Sequence, residues 1–260
     1  MSDETDRHAD EIRTRGYTVV HGVLDAAGIA AARAALDEVF AREAAIADDR
    51  RWKTAMYRVA YMLPQKHALF RDAPLNPRVL PLMRRVLGDD CVINSLNGLT
   101  MVPHGDIQRL HKDSLSIPGH VLYINALHTL DDFTVANGCT RLIPCSQDRP
   151  LRPDKPGMMN TGENWIDQFE SEAIPVEAPA GSLIAYNGGV WHAGSRNTTD
   201  QQRRALHLFY SRPWVKPQWD FNRSLSPEVV AAMTPEQRAI FGVGRRQQWY
   251  DWREDRVRHD

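Results

Sequence analysis

The 260-residue chain sets 32 Lys and Arg against 33 Asp and Glu, a net charge of −1, and is 42% hydrophobic and 25% charged; a globular chain of that make-up buries roughly three quarters of its surface on folding. Near-neutrality excludes the basic footprint of a nucleic-acid binder or of a protein drawn to an anionic membrane surface, and no run approaches the roughly 18 apolar residues of a membrane span. The acidic opening Met1 to Asp6 reads against a signal peptide, and Cys91, Cys139 and Cys145, with no Cys-x-x-Cys pair, offer neither a disulfide framework nor a zinc site, so a cytoplasmic protein is expected.

In chain order, Gly16 to Val23 is a β-branched run that predicts a short strand, and Asp25 is placed to cap a following helix. Ile29, Ala32, Leu36, Val39 and Phe40 recur near helical spacing, predicting a helix that reaches about Ala47 and turns Arg33, Asp37 and Glu38 to water. Arg51 to Phe70 mixes aromatic, Met and basic residues without a period and reads as helix and loop. Pro77 to Gly88 predicts a second helix ended by its glycine.

Strands are then predicted over Val92 to Met101, Gln108 to His111, His120 to Leu130, Thr140 to Ile143, Ala173 to Ala178, Ser182 to Asn187 and Ala205 to Ser211. Turn residues such as Pro118-Gly119, Asn137-Gly138 and Gly188-Gly189 separate them. Short strands at this spacing predict a sandwich or barrel, and the tail from Pro227 reads as helical again. No repeat or Gly/Ser linker breaks the chain, so one domain over 1–260 is expected: mostly helical support over 1–90, a β core over 91–215 and a helical extension over 216–260. The fold class is therefore α+β, mainly β.

The chemistry is concentrated in His111-Lys112-Asp113, where positions i and i+2 of a strand send a His and an Asp to one face. His192, after a predicted strand and a Gly-Gly turn, supplies a distal third ligand. Two histidines and one carboxylate with positions left open are the signature of non-haem iron(II) oxygenases. Eleven residues on, Arg203 precedes an apolar strand, where a guanidinium can meet a carboxylate through two parallel hydrogen bonds. His104, His120, His128 and His207 read as structural or surface groups, although His207 shares a strand face with Phe209 and so can approach the site.

At these residues the sequence resembles the phytanoyl-CoA dioxygenase-like branch of the iron(II)/2-oxoglutarate-dependent oxygenases. The likeness also runs through Gly16 to Phe40, through Asp131-Asp132 to Asn137-Gly138-Cys139-Thr140-Arg141-Leu142-Ile143-Pro144-Cys145-Ser146, and through Ala180-Gly181-Ser182-Leu183-Ile184. Cys145 and Gln147 depart from the Gly and His usual in that loop. The resemblance implies a double-stranded β-helix, the cupin-like jelly roll, with supporting N-terminal helices. His111, Asp113 and His192 would hold Fe(II), and Arg203, rather than its neighbour Arg204, would grip the distal carboxylate of 2-oxoglutarate. Gln108, Asn125 and Thr140 are candidates for further 2-oxoglutarate contacts. With dioxygen, such an enzyme oxidises an unactivated carbon while 2-oxoglutarate is split to succinate and carbon dioxide; a carboxylate at 113 disfavours halogenation.

Two other classes stay open at this point: a catalytically idle jelly-roll binding protein, and a metal-dependent hydrolase using the same His/Asp/His site, against which Arg203 and the want of a general base speak. The expected partner is a small molecule. Ala- and Arg-rich usage, and the compact relatives that tailor secondary metabolites, suggest a natural-product scaffold modified by hydroxylation or oxidative cyclisation. Arg51 to Lys66 and Pro156 to Gly162 are the expected covers of the site, with Trp214 to Phe221 next in line.

Overall fold

A computed structural model describes residues 2–44, 55–113, 117–149, 169–245 and 248–259. Helix α1 (Ser2–Thr14) leads into strand β1 (Tyr17–Val20), and the Asp25 carboxylate caps α2 (Ala26–Arg42) by accepting from the Gly28 N–H, one of the amides a helix start leaves without a partner. After β2 (Tyr57–Ala60) come α3 (Leu63–Lys66), α4 (Leu69–Asp72) and α5 (Leu80–Leu87), the last stopping where Gly88 takes a φ of 109°. The strands β3 (Val92–Met101), β4 (Tyr123–Thr129), β5 (Thr140–Leu142), β6 (Ile174–Val176), β7 (Leu183–Asn187), β8 (His192–Gly194) and β9 (Arg203–Ser211) follow. Helices α6 (Phe221–Ser224), α7 (Pro227–Ala232) and α8 (Pro235–Ile240) precede a hairpin of β10 (Gln248–Asp251) and β11 (Arg256–His259).

Antiparallel pairing joins six strands in the order β1-β7-β4-β9-β3-β2 and three in the order β6-β5-β8. Alternation gives the large sheet two unlike faces. Leu96, Ala126, Leu183, Leu206 and Leu208 point to one side and share a buried cluster with Ile12, Leu36, Val39, Leu82 and Met83 of the helices. Tyr17, Leu127, Ile184, Tyr186 and Ala205 point to the other and meet Leu142 and Val176 of the small sheet. Two antiparallel sheets facing one another, with helices over one outer face, make the double-stranded β-helix. Gly98 explains how closely α2 lies on β3: a Cβ there would sit 2.3 Å from Leu36 Cδ1, so an alanine would overpack the contact at a cost of about 1–3 kcal/mol.

The departures from expectation lie at the ends of elements and in the tail. A polar N-terminus forms α1 because Ala9 and Ile12 are fully buried and Arg85 pairs with Asp6 at 2.5 Å, so tertiary contacts rather than a periodic pattern hold it. Arg33 turns only partly to water: its Nε donates to the Leu130 carbonyl and its guanidinium pairs with Asp131. Helix α2 ends at Arg42, short of Ala47. Gln108 to His111 is not a regular strand, only a bridge at His111, and the C-terminal extension ends in a hairpin rather than helix. Within Arg51 to Lys66, residues 51–54 lie outside the described residues, and Tyr57–Ala60 is an edge strand of the large sheet instead of a cover. Pro156 to Gly162 lies outside the described residues altogether. No helix among the described residues is long and apolar enough to cross a membrane.

His128, on the helix-facing side of β4, is 1% exposed and its Nε2 has no hydrogen-bond partner among the described residues. Burial lowers its pKa from 6.5 to about 4. The unfolded chain therefore accepts a proton that the folded chain refuses, and the stability present above pH 6.5 is lost progressively as the pH falls towards 4, on the order of 3 kcal/mol. Thermal melts between pH 7 and 4.5 should show the melting temperature falling less steeply in His128→Leu than in the wild type. Parallel curves would assign the acid sensitivity to other groups.

Candidate active site

The ladder itself brings two histidines face to face. His111 and His192 form an antiparallel bridge, each amide donating to the other's carbonyl at 3.0 and 2.9 Å, and their rings lie 4.4 Å apart. The Asp113 amide donates to the Gly188 carbonyl in the Gly-Gly turn before β8, which carries the carboxylate to the same spot. One ligand atom from each of His111, Asp113 and His192 falls within 4.8 Å of the others, a group able to hold a metal ion. Both imidazoles are oriented for it: His111 Nδ1 lies 3.0 Å from the Arg109 carbonyl and His192 Nδ1 2.9 Å from that of Val190. A carbonyl only accepts, so Nδ1 carries the proton and Nε2 is left with a bare lone pair. Burial pushes the Asp113 carboxyl up, but without a metal the two imidazoles, when they take a second proton on Nε2, outweigh it by charge and hydrogen bonding and hold the group well below its ordinary 3.8; a metal would take the place of those protons. The carboxylate is thus ionised and available as a ligand.

These groups line one end of a cavity of about 500 Å³ between the two sheets, which also takes in Gln108, Asn125, Thr140, Arg203, His207 and Phe209, within the usual range for small-molecule sites. Arg203 is 8% exposed, its guanidinium carbon lies 3.9 Å from the centroid of the Phe133 ring, and no hydrogen bond or ion pair reaches its side chain among the described residues. Burial lowers its pKa to about 10, which leaves it a cation at neutral pH. A buried cation without a partner is costly unless an anion joins it. Arg204 is spent elsewhere, on Asp131 and Asp37. Gln108 Oε1 accepts from the Gly194 amide and Thr140 sits on β5 at the cavity wall, whereas the Asn125 amide is engaged by Asp113 and His207.

Two contributions escaped the sequence reading. Arg141 reaches from β5 to both ligand-bearing segments, donating to the carbonyls of Gly194 at 2.6 Å and Gln108 at 2.7 Å. Lys112, between two of the candidate ligands, donates to the carbonyls of Ser146, Gln147 and Arg149 and fixes that loop beside the site. His207, read from sequence as a structural or surface group whose alternation with Phe209 lets it approach the site, does line the cavity and bonds to Asn125. From the candidate covers, Tyr57, Val59 and Tyr61 form wall, and Lys216, Pro217 and Gln218 form rim, tied down where Asn94 accepts from the Gln218 amide at 2.6 Å.

Residues 12–205 match the family model described as phytanoyl-CoA dioxygenase. An uncharacterized protein of Mycobacterium tuberculosis is 27% identical over 254 residues, covering 94% of this chain and 87% of its own length. Dioxygenase af480 of Aspergillus fumigatus is 29% identical over 73% of this chain and 59% of its own. Among solved structures, the epimerase SnoN in complex with Fe3+, alpha ketoglutarate and nogalamycin RO superposes with a TM-score of 0.65 at 21% identity, over 82% of this chain and 85% of that one.

Proposed function

The chain belongs to the phytanoyl-CoA dioxygenase family, iron(II)- and 2-oxoglutarate-dependent oxygenases, and from that premise we propose that it oxidises an unactivated C–H bond of a small molecule, with His111, Asp113 and His192 holding the iron and Arg203 the distal carboxylate of 2-oxoglutarate. The observation that carries this reading is Arg203, a buried guanidinium with no hydrogen-bond or ion-pair partner among the described residues, which lines the same cavity as a convergent His/Asp/His set. The donors fit the metal: two imidazoles with bare Nε2 and one ionised carboxylate form the ligand set of non-haem iron(II), and three protein ligands leave room for a bidentate keto acid and for dioxygen. When bound, iron(II) and 2-oxoglutarate would supply the oxidising chemistry, in which dioxygen gives one oxygen atom to succinate as carbon dioxide leaves and the other to the substrate in hydroxylation or to water in oxidative cyclisation.

The protein's own part is position and shielding. Arg203 meets the carboxylate through two parallel N–H donors, and Gln108 and Thr140 are near enough on the wall to add hydrogen bonds. Leu99, Tyr123 and Phe209 line the rest of the cavity and hold an apolar portion of the substrate away from water. The likeness to an enzyme solved with nogalamycin RO supports a natural-product scaffold as substrate, with hydroxylation or oxidative cyclisation as the outcome. Incubation with candidate scaffolds under dioxygen should yield succinate only when Fe(II) and 2-oxoglutarate are both present. Mass spectrometry should then find the product heavier by one oxygen atom or lighter by two hydrogens. Product formed without 2-oxoglutarate would overturn the reading.

A further inference from the structure

We propose that His207 is a positioning residue that acts through Asn125 on Asp113, fixing which carboxylate oxygen is free to bind the metal. The inference rests on the assignment of Asp113 as an iron ligand. Its basis is a chain of two hydrogen bonds whose direction is fixed by chemistry. Asn125 Nδ2 lies 2.6 Å from Asp113 Oδ2, and Asn125 Oδ1 lies 2.6 Å from His207 Nε2. An ionised carboxylate only accepts, so Asn125 turns its NH2 to Asp113 and its carbonyl to His207, and His207 must then carry its proton on Nε2.

Neighbouring strands hold the three residues in line. Asn125 on β4 is fully buried and stands opposite Phe209 of β9, two residues from His207 on the same face. Burial keeps the His207 imidazole neutral, with a pKa lowered to about 4, so it donates one hydrogen bond without adding a charge beside the metal site. Both oxygens face the histidines, Oδ1 at 3.5 Å from His111 Nε2 and Oδ2 at 3.3 Å from His192 Nε2, but Oδ2 already accepts from the amide, which leaves Oδ1 as the oxygen with its lone pairs for the metal. A carboxylate so restrained occupies one metal position rather than two, which keeps the number of open positions that the keto acid and dioxygen need. Because His207 also lines the cavity, the substrate wall and the ligand share one polar connection.

Partners that orient a metal ligand are typically worth about 10–100-fold in metal affinity. Anaerobic Co(II) titrations followed by the metal's visible absorption, without turnover, should show Asn125→Leu and His207→Phe each binding about tenfold more weakly than the wild type. His207→Gln, whose amide N–H can stand where Nε2–H stood, should recover most of the loss. The links act in series, so adding His207→Phe to Asn125→Leu should cost nothing further. An undiminished His207→Phe effect in the Asn125→Leu background, wild-type affinity in His207→Phe, or failure of His207→Gln to recover while its melting temperature stays at the wild-type value, would each overturn the proposal. Asp113→Ala is the separate control: if it binds Co(II) as well as the wild type does, the assignment of the metal site fails, and the relay with it.

Discussion

Replacing Arg203 by alanine is expected to raise the KM for 2-oxoglutarate by about two to four orders of magnitude. Two charge-assisted hydrogen bonds to a carboxylate, at roughly 1.5–3 kcal/mol each, are lost, and every 1.4 kcal/mol or so is a factor of ten. Arg203→Lys should recover only part, since an ammonium cannot reproduce the parallel pair of donors. The same residue should behave oppositely when no ligand is bound. Its burial beside Phe133, with the pKa lowered to about 10, means the folded protein carries a cation at a cost on the order of 3 kcal/mol. Stacking on Phe133 offsets about 2 kcal/mol of this, which leaves a net cost on the order of 1 kcal/mol. Arg203→Met should therefore raise the melting temperature of the ligand-free protein while abolishing the further rise that saturating 2-oxoglutarate gives the wild type. Calorimetry with and without 2-oxoglutarate checks both signs; a wild type unmoved by 2-oxoglutarate, with an unchanged KM in Arg203→Ala, would remove Arg203 from the cosubstrate site.

How far the sequence reveals this site depends on the range of the interactions that build it. His111, Asp113, His192 and Arg203 were legible because each sits in a local pattern: a two-residue spacing, a strand and Gly-Gly turn, a cation before an apolar strand. The strands were legible for the same reason, since alternation and turn residues act over a few positions. What pairs across the sheets was not. Arg141 and Lys112 earn their places through carbonyls up to 53 residues away in the chain, and a carbonyl has no sequence signature. Asn125 was expected to touch 2-oxoglutarate, and only the register of β4 against β9 shows its amide turned to Asp113 and His207 instead. Helix α1 was missed because its contacts are tertiary: Asp6 to Arg85, and Arg13 to the Arg85 carbonyl. The cover expected over Arg51 to Lys66 became wall because Tyr57–Ala60 adds to the edge of β3, a pairing that four residues without a clear period could not announce.

Asp113→Ala is expected to abolish iron-dependent succinate formation, with activity lost by at least about a thousandfold, while the protein stays folded. On the proposed assignment the carboxylate is the one anionic ligand, and without it two neutral imidazoles would hold a dication alone while the Asn125 amide loses its acceptor. The fold should survive because Asp113 lies in a bend outside the helices and strands and belongs to none of the buried apolar clusters. Asp113→Glu is the sharper test. It keeps the charge, yet its extra methylene moves the oxygens by more than about an ångström, away from both the Asn125 amide and the point where His111 and His192 converge, and displacements of that size cost on the order of a hundredfold. Asp113→Asn separates charge from shape, since it keeps the length but sets an NH2 or a neutral carbonyl where the metal and the Asn125 amide each need an anion. The expected order of residual activity and of Co(II) affinity is wild type far above Asp113→Glu, then Asp113→Asn, then Asp113→Ala. Near-normal turnover in Asp113→Ala, with iron content measured on the same sample, would take the carboxylate out of the ligand set and leave the two histidines as a different kind of site.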